Sequence, residues 1–337
     1  MSELSRHAHA VLLPVLETLE ADDSISRFLE NGGKSLLFGE TGEEYVSGRM
    51  SEQRLRRETP DAWHHAIKTL KARAGGELIL AADADIAAVH RLQGVAAKLP
   101  ARDAAQRMPE AELEQACFEA ARGVAEAGIN LVLSPTADVL TGGNQWLDGR
   151  TLADDPSTAS RMVRSYIRGA RRAGLNTTLK HFPGHPVLRG HPAKDDATVP
   201  LSLDELRAQW GAFQAGIDEG ASAVMMGPAR FEAFQPAVAG SLSADLIALL
   251  RGELKFTGLV MTCDLDHKAT IGNRSVAETA VASLAAGADL LLLSPNAVPH
   301  IGEIANAIVA AVEGGKLDLS RLESAAGAVY RLTARTV

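Results

Sequence analysis

Short apolar runs alternate with longer stretches of helical period along most of the chain. The runs Ser35–Phe38, Leu78–Ala82, Leu131–Ser134, Thr177–Lys180, Ala223–Met226, Leu259–Thr262 and Leu290–Ser294 have the length of strands. Between them, Pro60–Ala74, Ala111–Ala127, Thr158–Ala173, Leu203–Glu219 and Val276–Ala286 carry the spacing of amphipathic helices. Two helices begin with a capping box, Ser202 with Glu205 and Ser275 with Glu278, in which hydroxyl and carboxylate satisfy otherwise unpaired backbone donors. Several end in a glycine just before the next strand (Gly128, Gly174, Gly220, Gly287), a residue that takes the left-handed conformation cheaply.

Strand–helix alternation on this scale implies an α/β fold with a parallel sheet and helices outside it. An open doubly wound sheet and a closed (β/α)8 TIM-type barrel both satisfy the pattern. No glycine-rich phosphate loop follows any strand, which disfavours a nucleotide-binding sheet. Seven strands are visible, so an eighth has to be irregular or lie in a segment that reads as helix. No linker or change of composition divides the chain, and residues 1–337 are expected to form one barrel domain.

Composition narrows the class. The chain of 337 residues is 46% apolar and 23% charged, ordinary for a globular protein, and its formal net charge of -8 disfavours nucleic acid and anionic membrane as partners. No window approaches the ~18 consecutive apolar residues of a membrane span. Met1 to His9 lack the basic start and apolar centre of a signal peptide, and two cysteines cannot build a disulfide framework. A cytoplasmic protein is expected; its oligomeric state is not readable.

In a barrel, working residues sit at the C-terminal ends of strands. Those ends carry Asp83, Asp138, Lys180-His181, Met226 and the run Thr262-Cys263-Asp264-Leu265-Asp266-His267. A lysine, a histidine and several aspartates converging on one mouth suit a sugar, whose hydroxyls both donate and accept. The sharpest motif is Lys180-His181-Phe182-Pro183-Gly184-His185, where a β-prone run ends in a basic pair and a Pro-Gly turn aims a second histidine.

This hexapeptide resembles the signature of glycoside hydrolase family 3, in particular its bacterial β-N-acetylhexosaminidase branch. The similarity extends from about residue 30 to residue 295: Gly128-Ile129-Asn130-Leu131 through Ser134-Pro135-Thr136-Ala137-Asp138-Val139, Gly149-Arg150 with Asp155-Pro156, Ser241-Leu242-Ser243 and Ala286-Gly287-Ala288-Asp289 look like further family segments. The resemblance implies a small carbohydrate or glycoside ligand, held by Asp138, Arg150, Lys180 and His181, with Asp83, Arg91 and Met226 completing the substrate-binding set.

The positions of the family's chemistry are changed. Retaining hydrolysis needs a carboxylate nucleophile and an acid/base group across the glycosidic bond. The resemblance places the nucleophile at Cys263; Asp264, one residue on, points to the opposite side if the strand stays extended. The family's acid/base histidine has an Asp-x-His setting on the loop after the hexapeptide. Arg189-Gly190-His191 keeps the histidine but has arginine in place of its partner, leaving Asp195 or Asp196 as substitutes. In place of the family's Glu-Gly-Gly turn stands Asp83-Ala84-Asp85-Ile86-Ala87-Ala88, although Arg91 remains, and Met225-Met226-Gly227-Pro228 stands where the family usually has a histidine.

Cys263, Asp264 and His191 are therefore the candidate catalytic residues of a divergent enzyme acting on a β-glycoside or N-acetylhexosaminide-like sugar. The alternative is a catalytically inactive descendant that binds a sugar or a protein. Cys263 could act as a nucleophile beside a lysine or histidine that lowers its pKa, but a buried thiol at a strand end is more often inert. His181, His185 and His191 with Asp195 match no metal motif, so neither a metal nor a cofactor is expected.

Overall fold

Each of the seven expected strands forms, and each pairs in parallel with its neighbours. In the computed structural model, which describes residues 1–234 and 236–334, they are β2 (Ser35–Phe38), β3 (Ile79–Ala82), β4 (Leu131–Val132), β5 (Asn176–Phe182), β6 (Ala223–Met226), β7 (Leu259–Met261) and β8 (Leu291–Leu293). The eighth is β1 (Leu12–Leu16), at the N-terminus of the others, buried at all five positions. It pairs Leu12 with Leu291 of β8 and Val15 with Leu37 of β2. An isolated parallel bridge between Met261 and Leu290 joins β7 to β8, and the ring becomes a (β/α)8 barrel.

Pro14 hides β1 in the sequence, because proline argues against a central strand. The residues before β1 also form regular structure. Ser2 caps a helix over Glu3–Ala10, and His9 on it is buried, with its Nδ1 2.8 Å from the carbonyl of Ser5.

Helices form at Pro60–Ala74, Glu110–Glu126, Pro156–Arg172 and Val276–Ala286, within two residues of the expected bounds. Both expected capping boxes are present, and Thr41 with Glu44 makes a third. The expected helix over Leu203–Glu219 is broken into Leu203–Arg207 and Gly211–Asp218. A tight turn carries Trp210 inward, where its indole N–H donates to the carbonyl of Pro183 and its ring packs on Phe182.

Strand alternation sorts the core into two bodies. Leu13, Val15, Leu37, Ile79, Ala81, Leu131, Leu133, Met225, Leu259, Met261, Cys263 and Leu292 fill the barrel, and a larger set packs between strands and helices. Beyond the C-terminal rim, a small sheet of Thr198–Val199, Arg230–Phe231 and Val238–Ala239 ties the loop after β5 to the loop after β6. Among the described residues no helix is long and apolar enough to cross a membrane.

Candidate functional site

The loop after β4 sets the centre of the mouth. Asp138 is completely buried, and its carboxylate receives four donors. Oδ2 accepts the backbone N–H of His181 at 2.7 Å and its ring Nδ1 at 2.8 Å; Oδ1 accepts the backbone N–H of His185 at 2.9 Å and its Nδ1 at 3.0 Å. Burial alone would raise the Asp138 carboxyl, but the two histidines outweigh it and hold the group below the usual carboxylate range. An ionised acceptor assigns Nδ1–H to both rings. Burial lowers His181 to about 4 against the pull of Asp138, so the ring is neutral near pH 7.

Trp146 packs against both rings, 4.5 Å from His181 and 5.1 Å from His185. Asn144 donates to the carbonyl of His185 and accepts the backbone N–H groups of Trp146 and Leu147, so this loop and the hexapeptide are one unit. Gly227 completes it: a Cβ there would lie 2.2 Å from Cε1 of His185. The replaced family segment at Met225–Pro228 thus makes room for His185.

Lys180, also buried, donates to Asp83 at 2.6 Å across the mouth. Burial would lower the ammonium, but Asp83 and its neighbours raise it above the ordinary lysine value. Beside this pair lies Glu40, two residues past β2. Burial first, then the charge of Asp83, pushes its carboxyl up to about 8, and its Oε1 has no hydrogen-bond partner.

Two residues expected to bind substrate are engaged with the scaffold. Arg91 is buried, with its guanidinium on the carbonyl of Gly39 and the carboxylate of Glu58. Met226 does not reach the mouth: it is buried in the shell between strands and helices, and strand alternation gives Met225 the inner place. Asp85, in the altered turn, accepts from the backbone and hydroxyl of Thr136 and from the backbone of Ala87.

Arg150 reaches the mouth from the Trp146 loop. Its guanidinium donates to the carbonyl of Trp146 and to the hydroxyl of Tyr45, and stacks 4.7 Å from the Tyr45 ring. The same tyrosine lies within electrostatic range of Lys180, Asp83 and Cys263, so it arches over the site from a helix at Gly42–Ser47.

Cys263 occupies the last inward place above Met261, in the position implied for the nucleophile. Burial and the neighbouring Asp264 raise its thiol well above the ordinary cysteine value. The backbone leaves the extended conformation after Met261, and Asp264 stands near enough to Asp83 for the two charges to oppose each other. His267 lies between the two: its Nδ1 is 3.8 Å from the thiol and its Nε2 3.4 Å from Oδ2 of Asp264.

His191 is half-buried on the loop after β5, within electrostatic range of His267 and Arg150. Burial and Lys194 lower its pKa. Asp195 does not replace the missing partner of the ring. It accepts from the backbone N–H of His191, while the ring Nδ1 accepts from Ala193.

The pattern of strand ends brings out Lys180, His181, Asp83 and Asp138, and the family resemblance adds Arg150; the fold brings all five to one mouth. It passes over Glu40, Tyr45 and Trp146. Glu40 had a signal, as the first charged residue after the apolar run of β2.

The fold and the site define a (β/α)8 barrel protein with a buried lysine–aspartate pair and an aspartate-held histidine at the C-terminal rim. Residues 42–332 match the model of the glycosyl hydrolase family 3 N-terminal domain, and the chain belongs to that family, in its β-hexosaminidase-like branch. A β-hexosaminidase of Xanthomonas campestris pv. campestris (strain B100) is 37% identical over 189 residues, 55% of this chain and 57% of the relative. A β-hexosaminidase of Stenotrophomonas maltophilia (strain R551-3) is 36% identical over 210 residues, covering 62% and 61%. The matches thus span less than two thirds of these relatives. The crystal structure of β-N-acetylhexosaminidase from Beutenbergia cavernae DSM 12333 superposes with a TM-score of 0.87 over 99% of both chains at 22% identity. The family 3 β-N-acetylglucosaminidase from Paenibacillus sp. str. FPU-7 superposes with 0.88 at 25% identity, over 100% of this chain and 63% of the other.

Proposed function

We propose that this chain is a divergent glycosidase of the family that takes the terminal ring of a β-N-acetylhexosaminide-like or related β-glycoside into the barrel mouth. The observation that carries this reading is the convergence of the Asp83–Lys180 pair and the Asp138-held His181 on one rim. A buried carboxylate accepts from sugar hydroxyls, a buried ammonium donates to them, and a neutral Nδ1–H imidazole leaves Nε2 as an acceptor. The β-hexosaminidase relatives support the substrate class. We take residues 1–337 as one domain working in the cytoplasm, with Cys117 and Cys263 as free thiols.

Double displacement cannot start at residue 263, because a neutral thiol stands where the carboxylate is required. Turnover, in this proposal, depends on Asp264 at the same strand end, with His191 as the imidazole of the loop opposite. A second reading, sugar binding without turnover, is favoured by the loss of a carboxylate partner on the His191 ring.

Incubation with aryl β-N-acetylglucosaminides and β-glucosides separates the two. Turnover by the native protein that Asp264→Asn abolishes supports the first. A silent native protein that binds N-acetylglucosamine and gains turnover as Cys263→Asp supports the second.

A further inference from the structure

The described residues contain two places where three metal-binding side chains each bring a donor atom within 4.8 Å of the other two: Asp138 with His181 and His185, and Cys263 with Asp264 and His267. They differ in what already satisfies them. The first is a closed hydrogen-bonded set, with the Nδ1–H of both histidines on the Asp138 carboxylate and all three residues buried. The second is looser and nearer solvent, with 3.8 Å from Sγ to Nδ1 and 3.4 Å from Nε2 to Oδ2. The His267 and Asp264 side chains are 16% and 27% exposed, which leaves a path for entry from the mouth.

We propose that Cys263, Asp264 and His267 form a zinc-binding site at the end of β7. Zinc bonds of ~2.0–2.3 Å in a tetrahedron set donor atoms roughly 3.3–3.6 Å apart. The two measured separations run to opposite nitrogens of the His267 ring, and only one of these can bind the ion; with one ring nitrogen as donor the three ligand atoms lie within 4.8 Å of one another, and an edge at that limit has to close by roughly 1.2–1.5 Å. Donor chemistry selects the metal: a thiolate with an imidazole suits zinc, whereas magnesium and calcium prefer all-oxygen sets. Three protein ligands leave the fourth position open to water or to a ligand atom. Coordination needs the thiol to lose its proton, so binding releases protons and weakens as pH falls.

The inference does not depend on the sugar-binding reading, since its readout needs no sugar; it competes with Asp264-dependent turnover, because a zinc-bound carboxylate is not free to act there, and it favours the reading of binding without turnover. Metal-free protein is titrated with Zn2+ by calorimetry, and with Co2+ for the near-ultraviolet sulfur-to-cobalt charge-transfer band. The expected result is one ion per chain, the thiolate band, and protection of Cys263 from alkylation by Zn2+. Cys263→Ser, Asp264→Asn and His267→Ala should each weaken binding by on the order of 100-fold or more, since even outer partners of a metal ligand are worth ~10–100-fold. Cys117→Ser, which alters a buried helix residue, should leave binding unchanged. Circular dichroism checks that each variant is folded, and the native protein's thiolate band tests the site independently of any variant. Absence of stoichiometric binding, or binding that survives all three substitutions without a thiolate band, overturns the proposal and leaves a hydrogen-bonded Cys–His–Asp chain only.

Discussion

Asp138 and His181 are joined twice, because one carboxylate oxygen accepts both the backbone N–H and the ring Nδ1–H of the histidine. His185 repeats the arrangement on the other oxygen. The hexapeptide is therefore held by an anion buried beneath it. Asp138→Asn keeps the shape but offers one oxygen to four donors. Breaking a buried charged network of this kind costs about 3–5 kcal/mol. The denaturant midpoint should fall accordingly, and a drop of under ~1 kcal/mol would show that the network is not structural.

The same network fixes the sign of the acid response. His181 is depressed to about 4, so between pH 6.5 and 4 the unfolded chain binds more protons than the folded one. Stability should decline as pH falls through that window. The lowered Asp138 carboxyl adds a further loss below the ordinary aspartate value. Thermal midpoints from pH 8 to 4 measure the slope, and His181→Gln should reduce it between pH 6.5 and 4 without abolishing it, because burial lowers His90 to about 4 as well.

Lys180 and Asp83 form the other buried element of the rim. Lys180→Met strands a carboxylate in the core and should destabilise by about 3–5 kcal/mol, while adding Asp83→Asn should restore part of the loss. A double-mutant cycle with no coupling energy would contradict a pair that supports the fold. Either single variant should also lose binding of N-acetylglucosamine, and the double variant should not regain it.

Much of the barrel was legible because parallel strands buried on both faces read as short continuous apolar runs. β1 was not, since Pro14 breaks the strand pattern and only the closing contacts with Leu291 and Leu37 make that conformation favourable. The site divided along the same line. Lys180, His181, Asp83 and Asp138 stand at strand ends or on the first loop residues, where periodicity places them. Met226 was misplaced by one residue, because a side chain's direction changes at each step along a strand and Met225 and Met226 are otherwise alike. Glu40, Tyr45, Trp146 and the bond from Asp195 to the backbone of His191 depend on contacts between distant loops, which no local pattern encodes.

Glu40 gives a pH test of opposite sign. Its carboxyl is raised to about 8, mainly by burial, so the fold favours the protonated form and loses stability as pH rises from the ordinary glutamate value through 8. Glu40→Gln removes the titration. The variant should be more stable than the native protein at pH 9, by up to a few kcal/mol, and nearly equal at pH 4. Equal stability at both pH values would show that Glu40 ionises freely.

Gly227 and His185 define a steric test. A methyl at Gly227 meets the imidazole at 2.2 and 2.5 Å, so the ring has to leave its place on Asp138. Gly227→Ala should cost about 2 kcal/mol or more, the range for overpacking a buried site. Gly143→Ala, where a Cβ meets nothing within 4 Å, should stay within about 0.5 kcal/mol.

Tyr45 and Cys263 link the cover of the mouth to its floor. Cys263 is 5% exposed and its thiol pKa is raised, while the Tyr45 hydroxyl lies within electrostatic range of it and is held by Arg150. Cys117, buried under a helix with its thiol pushed up to about 12, is an internal standard. In the native protein at pH 7.5, as metal-free chain, iodoacetamide should modify both cysteines slowly. Tyr45→Ala removes the phenol and releases Arg150, so the rate at Cys263 should rise by about tenfold while Cys117 is unchanged. Tyr45→Phe keeps the ring over the guanidinium and should give a smaller increase. Mass spectrometry of the two cysteine peptides over time measures both rates together. Parallel acceleration at Cys117 would point to general loosening of the fold, and no acceleration at Cys263 would mean that Tyr45 does not cover it.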